Sequence, residues 1–270
     1  MSDETSGRAH LVCGGFPAGS SAGHDIDYAR LRLLGMLRDA SVRTTVAGDF
    51  SDLEKWLPKS RLLVSYVAGP FPNPDQCVAL EAWLAAGGHW LALHGTSGGK
   101  AERIADSYQR RMVKLDHHRV LGSFFLNHPP VRRFAVHTAE HPLTEGVPRD
   151  FEVADELYLL EMQGDDIQPL ITTELASDPS PEGFGFLYEE DESLRPDAAT
   201  RVLGYHRSVG DGGVTYYGLG HCHSPRTNIQ PFVDLSVAED AVTPLEFVGP
   251  WETVGFERLL TNAIAWGASG

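Results

Sequence analysis

Three histidines stand where a predicted strand gives way to a glycine-flanked loop, or in the loop beyond it. His24 follows the first predicted strand, His94 ends the apolar run at residues 90–93, and His221 follows a late hairpin. Ligands of open α/β sheets gather beyond the carboxyl ends of the strands, so we expect the three imidazoles to converge on one rim. Three imidazoles beside a carboxylate suit zinc or a similar divalent ion. The alternative is that each is an ordinary loop histidine.

The nearest acidic side chains in the predicted site are Asp155 and Glu156, with Tyr158 beside them. In the predicted chemistry a divalent metal polarises a carbonyl or hydroxyl oxygen, and Glu156 or a histidine moves the proton. We therefore assign Glu156, Asp155 and Tyr158 as catalytic candidates. The candidate metal ligands are His94, His221 and His24.

Four more polar residues are candidates for substrate binding. Thr96 and Ser97 follow His94 in a glycine-rich turn, where they either donate hydrogen bonds to a substrate or cap the next helix. His206 lies within a predicted strand and points into the cleft or into the core. His223 is a partner for His221 or is simply exposed.

Two other kinds of chemistry have weaker support. Cys222 adjoins His223, but adjacent residues on an extended backbone point to opposite sides, so this pair cannot form a dyad. A structural cysteine is favoured, with a thiol-dependent hydrolase using Cys13 or Cys222 as a rival. Gly98 and Gly99 lack the spacing of a phosphate loop or a dinucleotide fingerprint, so neither ATP nor NAD is indicated.

The elements that must position these residues alternate between strand and helix in the first hundred residues. Asp25 is a reasonable N-cap for a first helix, and Pro74 opens a second. Strands are predicted at residues 10–16, 43–47, 62–67 and 89–94. This alternation is typical of an α/β fold with a doubly wound parallel sheet.

The second half of the chain is less regular. The patterns predict a helix over residues 101–112, strands at 120–126, 131–137, 170–175 and 184–188, and a C-terminal amphipathic helix at 256–266. Residues 151–162 form either strand–turn–strand or a short helix. Residues 202–206 and 214–219 form the clearest hairpin. There is no internal repeat and no convincing linker, so one domain is expected.

Composition excludes several classes of protein. The net charge is −15, with no cluster of Lys and Arg, which argues against nucleic acid as a partner. Three cysteines are too few for a disulfide framework or a thiolate zinc site. No run approaches the ~18 apolar residues of a membrane span, and no leader segment is recognised. We expect a soluble cytoplasmic protein without membrane contact, and composition leaves a homo-oligomer open.

The sequence resembles the ThuA-like family, the trehalose-utilisation proteins, within the class I glutamine amidotransferase-like superfamily. The resemblance spans nearly the whole chain in the expected order, over GHDIDYARLRLLGMLRD (23–39), LLVSYVAG (62–69), GGHWLALHGTSGG (87–99), HPLTEGVPRDFEVADELYLLE (141–161), VGDGGVTYYGLGHCHSP (209–225) and FERLLTNAIAWG (256–267). It implies a single domain over residues 8–270, preceded by a flexible N-terminus at 1–7. The implied architecture is a doubly wound, mostly parallel sheet of the flavodoxin-like or amidotransferase-like type.

The resemblance also bears on the nucleophile. Amidotransferases carry a cysteine on a strand-to-helix elbow and a histidine after a later strand, positions that match His94 and His221 here. Ala92 replaces the elbow's usual glycine. Without the thiol, amide hydrolysis through a thioester is not available. The resemblance therefore implies a sugar hydrolase, lyase or isomerase that uses metal-assisted or acid–base chemistry on a trehalose-type disaccharide or keto-glycoside.

A second function is consistent with the same residues. The chain could be a non-catalytic sugar-binding or regulatory module that kept the fold and lost the reaction, because fold alone does not imply function. Aromatic platforms near the rim, without a metal or a perturbed carboxylate, would favour that alternative.

Overall fold

The computed structural model describes residues 7–15, 22–105 and 107–269. The strands are β1 (Arg8–Gly15), β2 (Arg43–Ala47), β3 (Leu62–Ala68), β4 (His89–Leu93), β5 (Lys100–Arg103), β6 (Arg110–Val113), β7 (Ser123–Asn127), β8 (Arg132–Thr138), β9 (Asp150–Asp155), β10 (Leu159–Met162), β11 (Ile167–Glu174), β12 (Thr200–Val209) and β13 (Gly212–Tyr217). The helices are α1 (Ile26–Asp39), α2 (Leu53–Trp56), α3 (Pro74–Ala85), α4 (His117–Leu121) and α5 (Val254–Ala268).

Nine strands form one mixed sheet in the order β2-β1-β3-β4-β13-β12-β11-β8-β9. The neighbours from β2 to β13 pair in parallel, and those from β13 to β9 pair antiparallel. Parallel neighbours need long crossovers, whereas β12 and β13 are joined by the short turn at Gly210 and Asp211. The carboxyl ends of β1, β3, β4 and β13 therefore share one edge of the sheet.

Helices cover both faces of the parallel half, as expected of a doubly wound fold. Successive strand residues point to opposite faces, so Leu11 packs in the core cluster that contains α1 and α5 residues, while Val12 packs in the cluster that contains α3 residues. Two predicted helix starts are confirmed. Asp25 caps α1 by accepting from the Tyr28 amide, and α3 begins at Pro74 behind an Asn73–Gln76 capping box.

The predicted helix over residues 101–112 is wrong. This segment forms the antiparallel hairpin of β5 and β6, in which Lys100 pairs with Val113 and Arg103 with Arg110. Met112 packs against the core while Tyr108 is fully exposed. Pairing between the two strands, which the local sequence pattern does not reveal, takes the place of the helix.

Two other boundaries differ from the predictions, and one open choice is settled. The predicted strand at 120–126 begins inside α4, and Gly122, with φ +102°, ends that helix so that β7 starts at Ser123. Residues 184–188 make an isolated bridge between Phe186 and Arg110 in place of a strand. Residues 151–162 adopt strand–turn–strand as β9 and β10.

Apart from Gly7, the predicted flexible N-terminus at 1–7 lies outside the described residues. Residue 16, at the end of the first predicted strand, and residues 17–21 also lie outside them. In the described part of the chain, no helix combines the length and apolar character needed to cross a bilayer.

Candidate metal centre

The carboxyl edge of the parallel strands carries the three histidines. His94 follows β4 directly, His24 lies between β1 and α1, and His221 follows β13. Glu156 joins them from the turn between β9 and β10. All four side chains are buried. The topology therefore brings together residues that are up to about two hundred positions apart in the chain.

His94 occupies an elbow at the end of β4. Its φ of +45° lies in the left-handed region, which costs a residue with a side chain about 1–3 kcal/mol and persists only where contacts with its surroundings outweigh that cost. The Tyr216 hydroxyl donates to the His94 carbonyl at 2.9 Å. A Cβ on Gly95 would meet the Val67 carbonyl oxygen at 2.6 Å, so glycine is required after the elbow. This conformation aims the imidazole out of the sheet edge.

The four side chains converge on one small volume. His94 Nε2 lies 3.2 Å from Glu156 Oε2, and His221 Nδ1 lies 3.2 Å from Glu156 Oε1. His24 Nε2 lies 3.9 Å from Glu156 Oε2. One atom from each of the four residues can be chosen so that all lie within 4.8 Å of one another. This compactness is what a single ion shared by four ligands requires.

Hydrogen bonds fix the tautomers of His24 and His94. A backbone carbonyl can only accept, so His94 Nδ1, at 2.7 Å from the Gly218 oxygen, carries a hydrogen. The same holds for His24 Nδ1, at 2.9 Å from the Ala22 oxygen. In the neutral rings both Nε2 atoms therefore present lone pairs, and they face each other at 3.0 Å.

A chain of two hydrogen bonds through His223 fixes the tautomer of His221. His223 Nε2 donates to the Pro244 carbonyl at 2.9 Å, so His223 Nδ1 accepts from His221 Nε2 at 3.0 Å. The lone pair of His221 then sits on Nδ1, which is buried without a hydrogen-bond partner. Three ring nitrogens and a carboxylate thus face one another, and without an ion His221 Nδ1 has no hydrogen-bond partner.

Electrostatics favour the charge states that bind cations. Burial lowers the pKa of His24 to about 4 and that of His221 well below its usual value. Burial alone would raise the pKa of Glu156, but His128, His221 and His94 together lower it well below its ordinary range. Burial lowers the pKa of His94, yet Glu156 raises it overall. Near neutral pH, His24 and His221 are therefore neutral and Glu156 is ionised.

A cavity of about 770 Å³ opens beside the cluster. His24, Glu156 and Tyr158 line it, so the cluster is accessible to a small molecule. Its volume is in the range of small-molecule sites. The Tyr158 hydroxyl lies 3.1 Å from His94 Nε2 at the boundary between cluster and cavity.

Comparison with known proteins agrees with this fold. The model of the ThuA family, described as trehalose utilisation, matches residues 19–234. The chain belongs to the ThuA family. A ThuA-like protein from Bacteroides uniformis ATCC 8492 superposes with a TM-score of 0.61 at 15% identity, covering 99% of this chain and 94% of that one. One from Parabacteroides merdae ATCC 43184 gives 0.58 at 15% identity, covering 97% and 90%.

A cold-adapted β-galactosidase from Rahnella sp. R3 shares the fold over 79% of this chain and 28% of its own length, with a TM-score of 0.52 at 12% identity. The search of curated proteins finds no match. At these identities the structural neighbours bear on fold alone, and the ThuA assignment depends on the family model.

Two residues of this ThuA-family site were not predicted from the sequence. His128 Nε2 lies 3.5 Å from Glu156 Oε1, and the Gln230 side-chain amide donates to the same oxygen. His128 immediately follows β7, so it could have been found by the same criterion as the other histidines, a position after a strand. Gln230 lies in an irregular segment and carries no local signal.

Asp155 holds the backbone around the site through hydrogen bonds. Its carboxylate accepts from the amides of Gly220 at 2.7 Å, His221 at 2.9 Å and Glu156 at 2.8 Å. The pKa of Asp155 is raised overall to about 7, because burial outweighs the lowering effects of His94 and of the bonds from the Gly220 and His221 amides. Asp155 is a catalytic candidate by sequence, but its oxygens face the backbone and not the cavity.

Three predicted substrate-binding residues are not among the residues that line the cavity. The Thr96 hydroxyl donates to the Ser65 carbonyl, and the Ser97 hydroxyl is hydrogen-bonded to the Tyr216 hydroxyl at 2.7 Å. His206 contacts Thr215 and Trp266, far along β12 from the sheet edge that carries His94. The fourth predicted substrate-binding residue, His223, accepts a hydrogen bond from His221. The cavity therefore draws its polar groups from other residues.

The thiols lie in unfavourable surroundings for nucleophilic chemistry. Cys13 and Cys222 are buried, and burial raises the pKa of each to about 12. Since the thiolate is the reactive form, both stay protonated near neutral pH. This argues against the thiol-hydrolase alternative.

Proposed function

We propose that this ThuA-family protein is a divalent-metal-dependent enzyme that acts on a carbohydrate. His24, His94, His221 and Glu156 would hold the metal, and the adjoining cavity would hold the sugar. The observation that carries the proposal is the convergence of three imidazole lone pairs and one carboxylate on a single buried point. Imidazole with carboxylate is the donor set that zinc and similar ions prefer.

A purely structural network is the competing explanation. Buried polar groups normally satisfy one another, yet His221 Nδ1 has no hydrogen-bond partner, and the Nε2 atoms of His24 and His94 face each other. A single proton could relieve only one of these conflicts. A cation relieves both, because each lone pair then has a ligand bond.

The residues at the cavity wall have separate tasks. A bound divalent ion supplies Lewis-acid polarisation of a carbonyl or hydroxyl oxygen. Burial, followed by the charge of Glu156, raises the pKa of Tyr158 well above its ordinary value, so its phenol keeps its proton and can donate to a substrate oxygen. His128, within 3.5 Å of Glu156 on the cavity wall, is placed to accept or return a proton.

The substrate class rests on the family and on size. The family is described as trehalose utilisation, and a cavity of about 770 Å³ accommodates a molecule of two rings. The chemistry that remains open to such a site includes hydrolysis, elimination and isomerisation of a glycoside or keto-glycoside.

Elemental analysis of protein prepared without a histidine tag tests the proposal. Wild type should retain about one divalent ion per chain, whereas His94→Ala and His221→Ala should lose it. His137→Ala is the matched control, because His137 lies on the surface of β8 outside the cluster. If wild type contains no metal and binds trehalose as tightly as His94→Ala and His221→Ala do, the enzyme proposal is overturned. That result would support the sugar-binding module.

A further inference from the structure

Two arginines face each other on the hairpin of β5 and β6. Arg103 on β5 is paired directly with Arg110 on β6. Directly opposed residues of an antiparallel pair have Cβ atoms about 4.5–5.5 Å apart, and like charges in that position are destabilising. The hairpin therefore carries a repulsion that a bound opposite charge would remove.

Neither of the two guanidinium groups has an ion-pair partner among the residues that the structure describes. The other cations of the hairpin do have one. Lys100 Nζ lies 2.9 Å from Glu102 Oε1, and Arg111 lies 3.8 Å from the other oxygen of the same carboxylate. Adjacent strand residues point to opposite sides, so Glu102 is on the opposite face of β5 from Arg103. The only carboxylate of the two described strands thus leaves the opposed arginines without a counter-charge.

The opposed arginines lie on the face of the hairpin that borders the cavity. Alternation along each strand places Ala101 and Arg103 on one face of β5, and the pairing places Arg110 and Met112 on the same face of β6. Ala101, Arg110 and Met112 line the cavity beside the metal cluster. Both arginines are exposed, so their charges are at the mouth of the cavity.

The mouth and the metal cluster are separate parts of one cavity. Glu156 and Tyr158 line the cavity at the cluster. Between centroids, the ring of Phe125 lies 4.3 Å from that of Tyr158 and 6.0 Å from that of Phe186. The backbone of Phe186 then bridges to that of Arg110 on β6. An anion bound at the mouth therefore belongs to a part of the ligand that is remote from the metal.

The charge of the cavity contrasts with that of the chain. The net charge is −15, yet Glu156 is the single carboxylate among the described residues that line the cavity. That carboxylate already contacts the histidines of the cluster. The acidic side chains that follow Tyr188 in the chain line a second pocket instead: Glu189, Glu190 and Glu192. An anionic ligand that enters the cavity therefore meets cations at the mouth and no further carboxylate in the described lining.

We propose that Arg103 and Arg110 bind an anionic group on the sugar that lies farther from the metal cluster. The substrate is then a disaccharide that carries a phosphate or a carboxylate on its outer ring. Guanidinium groups bind both of these oxyanions through paired, charge-assisted hydrogen bonds. This inference rests on the proposed function, because the metal cluster is what places the first sugar at the inner end. It keeps the two-ring carbohydrate of that proposal and adds the charge that the carbohydrate bears.

Calorimetric titration of the full-length, metal-loaded protein at low salt tests the inference. The probes are trehalose, trehalose 6-phosphate and the trehalose derivative in which one primary alcohol is oxidised to a carboxylate. We expect at least one anionic probe to bind about tenfold or more tightly than trehalose, with a preference that shrinks as salt is added. The stronger of the two anionic probes identifies the group as phosphate or carboxylate. Binding of both anionic probes no tighter than that of trehalose would overturn the inference.

Substitutions locate the anion. Arg103→Gln and Arg110→Gln should each reduce the advantage of the better anionic probe to about threefold or less, with metal content unchanged. Arg111→Gln is the matched control and should keep the full advantage, because Arg111 lies on the opposite face of β6 and contacts Glu102. An advantage that both Arg103→Gln and Arg110→Gln retain would mean that the anion binds the metal ion, and would overturn the inference.

Thermal unfolding separates ligand binding from a structural role of the arginines. Each glutamine variant removes a like-charge repulsion, so neither should melt below wild type. A lower melting temperature in both variants would assign the arginines to the stability of the hairpin and contradict the inference. Wild type that contains no metal would instead refute the proposed function, while the arginine-dependent preference is measured separately, so the two failures are distinguishable.

Discussion

The Nε2 atoms of His24 and His94 lie 3.0 Å apart, although the residues are separated by 70 positions and each Nδ1 already donates to a carbonyl. The strands that precede them in the chain, β1 and β4, both pair with β3. The fold therefore brings two ring nitrogens to hydrogen-bond distance, a contact that requires either a proton or a cation between them.

Metal should accordingly stabilise the fold. A ligand that binds only the folded state adds RT ln(1 + [L]/Kd), or about 2.7 kcal/mol at a hundredfold excess over Kd. We expect chelator-treated protein to melt several degrees lower than protein with zinc restored, measured by scanning calorimetry. His94→Ala should abolish the metal-dependent shift. An equal zinc-induced rise in that variant would mean that the ion binds elsewhere.

His223 should control metal affinity without contacting the ion. His223→Phe keeps a ring against Phe247 but removes the acceptor for His221 Nε2. His221 is then free to change tautomer or rotate, and outer partners of this kind typically contribute about 10–100-fold to metal affinity. Competition with a chromogenic chelator measures the change.

His223→Gln serves as the comparison, since its amide oxygen can still accept from His221. We expect it to recover part of the lost affinity. Equal affinities in wild type and His223→Phe would show that His221 needs no such partner.

The candidate histidines could be predicted because their positions follow from topology. The loops after buried parallel strands lie at the carboxyl edge of the sheet. His94 follows β4 directly, and His24 and His221 lie in the loops after β1 and β13. The role of Asp155 could not be predicted in the same way. It adjoins Glu156 in sequence, yet one carboxylate faces the cavity and the other faces backbone amides, a difference set by the turn between β9 and β10.

Some elements of the fold could likewise be predicted from the sequence, and others could not. Residues 43–47 and 74–85 formed the predicted strand and helix because local pattern and caps agree there. The hairpin of β5 and β6 replaces the predicted helix, and the local sequence pattern carries no signal of its strand pairing. Gln230 reaches Glu156 from an irregular segment, where neither periodicity nor caps indicate a position in space.

Asp155→Asn should weaken both stability and metal binding. Asp155 accepts from the Gly220 and His221 amides, and an asparagine would turn an NH2 donor toward one of them. Leaving a buried donor unpaired costs about 1–3 kcal/mol. Urea denaturation and chelator competition measure the two effects. Asp150→Asn, on the exposed start of the same strand, is the control and should change stability by about 0.5 kcal/mol or less. Unaltered values in Asp155→Asn would refute its positioning role.

A buried charge outside the site also contributes to stability. The Arg201 side chain is fully buried and donates to both oxygens of Asp191, at 2.9 and 2.8 Å. Asp191→Ala leaves the buried guanidinium without its counter-ion. Because Asp191 is partly exposed and Arg201 keeps its bonds to the Leu175 carbonyl and to Ser193, we expect a cost of about 1–3 kcal/mol. Urea denaturation at neutral pH should show that loss. The double variant Asp191→Ala/Arg201→Met should be less destabilised than Asp191→Ala, because it removes the stranded charge.

The same pair gives a pH dependence with a definite sign. Burial raises the pKa of Asp191, but hydrogen bonds from Arg201 and Ser193 lower it overall. A pKa that is lower in the folded state gives stability that is fully present above the unfolded value, about 3.9, and is lost as pH falls through the folded value. The difference in unfolding free energy between wild type and Asp191→Ala should therefore be constant near neutrality and shrink below about pH 4. A difference that stays constant down to the acid unfolding limit would show that Arg201 does not lower the pKa of Asp191.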